Sequence, residues 1–268
     1  MSTSLSPSAA EHAPSSGQSS RSLTLGVLAM APLFAAYEVA LATRDSAPRN
    51  AAELFFSLTL RPFGEHLAQA RWAALCAVAL AAAWLARRRS AAILPGVARI
   101  VLEALLAACL VGPLMVVGVH SFAERVPSFQ VAAELTAPGP SLGDTALALG
   151  AGAWEELFFR VGLYSFVYWL ALRFCTACFG AESHARALAD ALGLCVSSTA
   201  FAAAHFGPVL ERFGFEGPPF EATRFAWLAL GGALLGLLFR WRGPGVAAWT
   251  HGLFNVALWV GIDPDVIW

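Results

Sequence analysis

Residues 144–172 read DTALALGAGAWEELFFRVGLYSFVYWLAL, and the middle of this stretch decides the fold. Its flanks are apolar enough for a membrane span, yet Glu155, Glu156 and Arg160 lie at its centre. As one helix it would be about 40 Å long at 1.5 Å per residue. It must therefore tilt within a bilayer or project from it. Charged groups at membrane depth cost about 2.5–3.5 kcal/mol each on insertion scales and mark function by default. Glu156 and Arg160 are four apart, share a helix face and can pair. Glu155 is rotated about 100° from Glu156, so it points elsewhere and is free to work. The alternative is a second structural carboxylate paired to another helix.

The whole chain is apolar. Of its 268 residues, 58% are hydrophobic and 13% charged, and the mean hydropathy is +0.64. Soluble domains carry about 25% charged residues, so this composition excludes a soluble globular protein, a disordered regulator and a secreted disulfide scaffold. The 17 cationic residues are all Arg, which excludes lysine Schiff-base and P-loop chemistry. A net charge of −1 and a pI near 6.6 argue against a nucleic-acid partner. The expected organisation is a disordered tail over 1–22 and one transmembrane helical domain over 23–268, with its core motifs in 144–262.

Hydropathy predicts an all-α polytopic bundle of seven spans, at 23–43, 67–86, 97–119, 144–172, 187–206, 225–239 and 246–262. An eighth is expected if the fourth is broken or if 51–60 dips in. The stretch 51–60 is too short to span and reads as interfacial. The first span shows no cleavage site and reads as retained. Arg87, Arg88, Arg89 and Arg99 follow the second span, Arg173 and Arg186 the fourth, and Arg240 and Arg242 the sixth. By the positive-inside rule these loops are cytoplasmic and the N-terminus is inside. Arg44, Arg49, Arg61 and Arg71 conflict, since they would face out. Glu38 and Glu103, near span ends, are expected to reach the interface. The loops 126–143 and 207–223 are Pro/Gly-rich and read either as borders of a substrate opening or as plain connectors.

Two further polar stations occur in later spans. His205 ends the Ala-rich stretch beginning at Phe201, where small residues allow close helix approach. His251 and Asn255 are four apart and share one face of the last span. If the three stations converge, Glu155 and His205 can activate a water. His251 and Asn255 can donate to a developing oxyanion. That inventory suits amide hydrolysis by direct water attack. Ser197, Ser198 and Thr199 do not form a nucleophile elbow, and their hydroxyls are expected to bond back to the helix. The cysteines are odd in number, with one CxxC at Cys175 and Cys178, and read as packing residues.

Glu155-Glu156-x-x-x-Arg160, Phe201-x-x-x-His205 and His251-x-x-x-Asn255 resemble the three motifs of the CPBP family. This is the CAAX-protease and bacteriocin-processing family, also called Abi, which includes the type II CAAX prenyl endopeptidase. The resemblance covers about 144–262. It implies an intramembrane glutamic endopeptidase in which Glu155 and His205 activate the water, His251 and Asn255 form the oxyanion site, and Glu156 and Arg160 support them. It implies no cofactor; a zinc-dependent variant, with one Glu and two His as ligands, is the alternative. The implied partners are the lipid bilayer and a membrane-associated protein or peptide: a C-terminal anchor, a leader or a lipidated protein. The Arg-only, Ala-rich composition points to a multi-pass protein of a bacterial inner membrane, with a myxosortase-like sorting role as one reading. Outside the protease class, a membrane transporter and a non-enzymatic bacteriocin-immunity protein stay open.

Overall fold

The computed structural model describes residues 22–43, 50–89, 92–123, 141–179 and 182–261. The expected tail (bar Ser22), the loop 126–140, Arg44 and Arg49 lie outside them. The described residues contain helices and no strand. In chain order the helices are α1 (Leu23–Ala42), α2 (Ala51–Thr59), α3 (Leu67–Arg88), α4 (Ile93–Ala123), α5 (Leu142–Glu155), α6 (Ser165–Phe179), α7 (Glu182–Ala203), the short α8 (Gly207–Leu210), α9 (Ala222–Arg242) and α10 (Pro244–Gly261). A 3-10 turn, Arg61–His66, leads into α3, and a π-helical segment, Glu156–Tyr164, joins α5 to α6.

Local chemistry sets the boundaries. Ser141 and Asp144 form a capping box that starts α5, with Ser141 Oγ accepting from the Asp144 amide at 3.2 Å. Asn50 caps α2, its Oδ1 accepting from the amides of Ala52 and Glu53. Gly243, at φ +87°, ends α9, and Pro244 opens α10 at once.

Five helical stretches are long and apolar enough to cross a membrane: Leu23–Ala42, Arg61–Arg88, Ile93–Met115, Leu142–Cys178 and Ala222–Arg242. A sixth is reached if α7 and the turns after it, bent by 96°, count as one broken span. Among the described residues this gives five or six of the expected seven or eight. The fourth span is continuous, and α10 carries Thr250, His251 and Asn255. Those side chains are buried inside the bundle, where polar groups find partners. The stretch expected to be interfacial is helix α2, nine residues long, with Glu53 fully buried against the bundle.

The ionic expectations for the first third change most. Arg71 is no outward-facing loop charge; it is 2% exposed and pairs with both Glu38 and Glu53. Glu38 does not reach an interface, since burying it beside Arg71 satisfies both groups. Arg71 thus drops out of the arginine conflict in the topology. Glu103 is partly buried and pairs with Arg99 and Arg242.

Helices α1, α5 and α10 form the centre of the bundle, and glycines set their spacing. A Cβ on Gly152 would lie 2.5 Å from the Gly252 amide nitrogen, and one on Gly252 would lie 2.6 Å from the Leu149 carbonyl oxygen. A Cβ on Gly245 would meet Gly26 Cα at 2.9 Å, and one on Gly150 would meet Tyr37 Cβ at 2.2 Å. Small residues of this kind let membrane helices touch backbone to backbone. Because backbone cannot rotate away, a larger residue must push the helices apart. Gly252→Val is expected to lower stability by about 1–3 kcal/mol, the usual cost of overpacking, read as a drop in thermal unfolding midpoint in detergent. Gly112, with nothing within 4 Å of its would-be Cβ, is the control: Gly112→Ala should be neutral or stabilising. Equal midpoints for Gly252→Val and wild type would exclude the close crossing.

Candidate active site

The carboxylates sit where the helix changes winding. Glu155 is the last residue of α5, and Glu156 is the first of the π-helical segment. Wide turns of this kind are rare and concentrate at functional sites. Here the segment keeps Glu156 and Arg160 on one side, with Arg160 Nη1 3.2 Å from Glu156 Oε1 and both side chains fully buried. Arg160 Nη2 donates to the Gly232 carbonyl at 2.9 Å, and its guanidinium lies 4.7 Å from the centre of the Phe201 ring. The expected supporting ion pair is therefore present and anchored to α9.

The three polar stations converge. His251 Nε2 is 3.2 Å from Glu155 Oε2, and His251 Nδ1 is 2.9 Å from Glu156 Oε1. One imidazole thus spans both carboxylates, and a ring carrying a proton on each nitrogen would donate to both. His205 Nε2 faces Glu155 Oε1 at 3.9 Å. That gap is too long for a direct hydrogen bond, and a water about 2.8 Å from each atom can touch both.

His205 is not on a helix, as expected, but beyond the end of one. Helix α7 stops at Ala203, and His205 occupies the turn before α8, at the 96° bend. Its Nδ1 lies 2.8 Å from the Phe201 carbonyl oxygen. A carbonyl only accepts, so the proton sits on Nδ1, and Nε2 of the neutral ring keeps its lone pair toward Glu155. Its side chain is 18% exposed, against 6% for Glu155 and 4% for His251. The site therefore opens at His205.

Two expectations meet a different geometry. Glu155 is not without partners: besides the two histidines, its Oε1 accepts a hydrogen bond from Asn50 Nδ2. His251 and Asn255 do not converge on open space; the His251 nitrogens face carboxylates, and Asn255 Nδ2 donates to the Ala148 carbonyl at 3.2 Å. Ser197 Oγ bonds back to the Leu194 carbonyl at 3.2 Å, as read from the sequence. Cys175 is buried, while Cys178 on the same helix is exposed. Among the described residues no group of three His, Cys, Asp or Glu side chains is arranged to hold a metal ion, and no chemical step is routed through one.

Asn50 escapes sequence reasoning. Its position before an apolar stretch signals a helix cap, but nothing in the pattern says that its amide reaches a residue 105 positions later.

Residues 140–257 match the family model for type II CAAX prenyl endopeptidase Rce1-like proteins. This segment is a CPBP-family domain. It takes in Glu155, Glu156, Arg160, His205, His251 and Asn255, and it leaves out Asn50 and Arg71. No curated protein and no solved structure matches the chain. Within the CPBP domain, Arg160 is the test of how far the site depends on its ion pair. Removing one partner of a buried pair leaves the other charge uncompensated, at a cost of ~3–5 kcal/mol. Arg160→Ala should therefore lower the thermal midpoint far more than His205→Ala, whose side chain borders the opening. Equal midpoints for the two variants would show that Glu156 does not rely on Arg160.

Proposed function

We propose that the chain hydrolyses a peptide bond of a membrane-associated protein, using a water activated by Glu155 and His205. The match of residues 140–257 to the Rce1-like family supports a CAAX-type intramembrane protease. The mechanism rests on one observation: His205 Nε2 and Glu155 Oε1 face each other across 3.9 Å at the open end of the site. A water held there gives a proton to Glu155 as its oxygen attacks the scissile carbonyl carbon. The tetrahedral intermediate carries an oxyanion. His251 Nε2 and Asn255 Nδ2 are its donors, turning from Glu155 and Ala148 toward the substrate. The C–N bond then breaks, and the proton passes from Glu155 to the leaving amine. Glu156 and Arg160 hold the frame, Glu156 through His251.

The substrate classes that fit are a C-terminal membrane anchor, a peptide leader and a lipidated protein. A bacterial inner membrane is the proposed location. The myxosortase-like reading, removal of anchors from exported proteins, needs the opening at His205 to face outward. That follows if the Arg-rich loops are cytoplasmic.

The test compares membrane proteins and peptides from cells carrying wild type, Glu155→Gln or His205→Ala at matched levels. Precursors should accumulate uncleaved with both variants, and purified Glu155→Gln should lose about 10²–10⁴-fold in rate, the usual contribution of a general base. Chelators should leave wild-type cleavage intact; loss of activity with metal removal would instead favour the zinc variant. Three identical profiles would overturn the protease reading. Ion flux altered by Glu155→Gln would then favour a transporter, and immunity that survives both substitutions a non-enzymatic role.

A further inference from the structure

We infer that Asn50, outside the CPBP domain, is a positioning residue for Glu155, held in place by a buried ionic triad of Glu38, Arg71 and Glu53. The inference rests on Glu155 acting as the base. Asn50 has two separable jobs. Its Oδ1 caps α2, accepting from Ala52 N at 2.8 Å and Glu53 N at 3.4 Å. Its Nδ2 donates to Glu155 Oε1. The backbone is pinned as well, because Asn50 N donates to the Tyr37 hydroxyl at 3.0 Å. Asn50 itself is 3% exposed.

A helix cap alone needs none of this. Caps are ordinarily satisfied at the surface, and Asp or Ser serves as well as Asn. What only Asn supplies here is an acceptor for the helix and a donor for a carboxylate on opposite atoms of one short amide. The donor fixes the Oε1 edge of Glu155, while His251 fixes Oε2. Both edges are held before the oxyanion forms, and once His251 turns toward it Asn50 still keeps the carboxylate facing His205.

The triad explains how so short a helix keeps Asn50 in register. Arg71 of α3 pairs with Glu38 of α1 and Glu53 of α2, and Ser57 Oγ donates to Glu53 Oε1 at 2.7 Å. All three charged groups are within 3% of full burial. The Arg71 guanidinium lies 6.0 Å from the ring centre of Trp154, the neighbour of Glu155. The triad thus ties α1, α2 and α3 together one residue away from the base.

The experiment separates cap from donor. Asn50→Ser and Asn50→Thr keep a hydroxyl acceptor for α2 and remove the amide donor. The probe is a precursor that accumulates in Glu155→Gln cells, purified and added to proteoliposomes of each variant. Expected are a KM near wild type and the same modest drop in thermal midpoint in both variants, with kcat down about ten- to a hundredfold, the range for one lost hydrogen bond to a charged group. A purely structural role predicts the opposite split: wild-type kcat in both variants, or losses that track the midpoint. Either result overturns the inference, and so does a variant that fails to fold while its partner keeps full kcat. If wild type processes the precursor and Glu155→Gln does not, failure at Asn50 leaves the protease reading standing. If no precursor accumulates, both fall.

Discussion

Putting carboxylates into an apolar bundle is the constraint around which this molecule is built. Glu38, Glu53, Glu155 and Glu156 are all buried, against the buried guanidiniums of Arg71 and Arg160. Desolvating an ion costs several kcal/mol even after relaxation, so each carboxylate must be met by donors of good geometry. The chain gathers these groups into two clusters. One is closed: Glu38 and Glu53 share Arg71, and Ser57 adds a hydroxyl to Glu53. The other has one soft side. Glu156 is enclosed by Arg160 and His251, whereas Glu155 has His205 across a gap at the surface of the site. The difference between the clusters is that the first closes on itself while the second keeps one side open at His205.

The backbone is shaped to make those pairings reachable. A histidine ring is short, and it touches both Glu155 and Glu156 because α5 and α10 meet without side chains between them at Gly152 and Gly252. A bulkier contact would add the thickness of a side chain to distances of about 3 Å, beyond hydrogen-bond reach. The π-helical winding contributes at the same place by carrying Glu156 and Arg160 together toward α9, where the Gly232 carbonyl receives Arg160. On the opposite side, ending α7 early frees His205 from helical geometry. Irregular backbone at membrane depth is tolerated where protein surrounds it, and Ala204 and Phe206 on either side are buried.

How much of this the sequence carries depends on the range of the interaction. The helices were legible because an apolar run needs no knowledge of its neighbours, and the Glu156–Arg160 pair because it lies within one turn. The convergence of Glu155, His205 and His251 was legible only through the three-motif pattern, whereas Asn255 bonds to the Ala148 carbonyl. What the pattern could not carry is contact at long separation. Arg71 reads as a loop charge by position, and only the packing of α1, α2 and α3 turns it inward. The break at Ala203 was hidden because Ala-rich sequence is compatible with helix throughout, while the turn is imposed by what His205 and Phe206 must contact. The polar residues of α10 are the same case: they look like defects in a membrane helix until their partners on α4, α5 and the π-helical segment are seen.

The distribution of charge also bears on how the two halves of the chain depend on each other. The CPBP domain contains every group expected to do chemistry, yet two of its boundary conditions lie elsewhere. Tyr37 of α1 fills the space that Gly150 leaves beside α5, and Asn50 closes the Oε1 edge of Glu155. Folding the domain without residues 22–89 would leave the α5 face of Leu147, Ala151 and Trp154 without the residues of α1 and α2 that now pack there. It would also leave Glu155 without its amide donor. In water such a deficit is partly filled by solvent. Inside a bundle, an unmet acceptor carries the full desolvation cost of the group. Under the proposed mechanism the N-terminal helices are part of the framework of the site rather than an anchor attached to it.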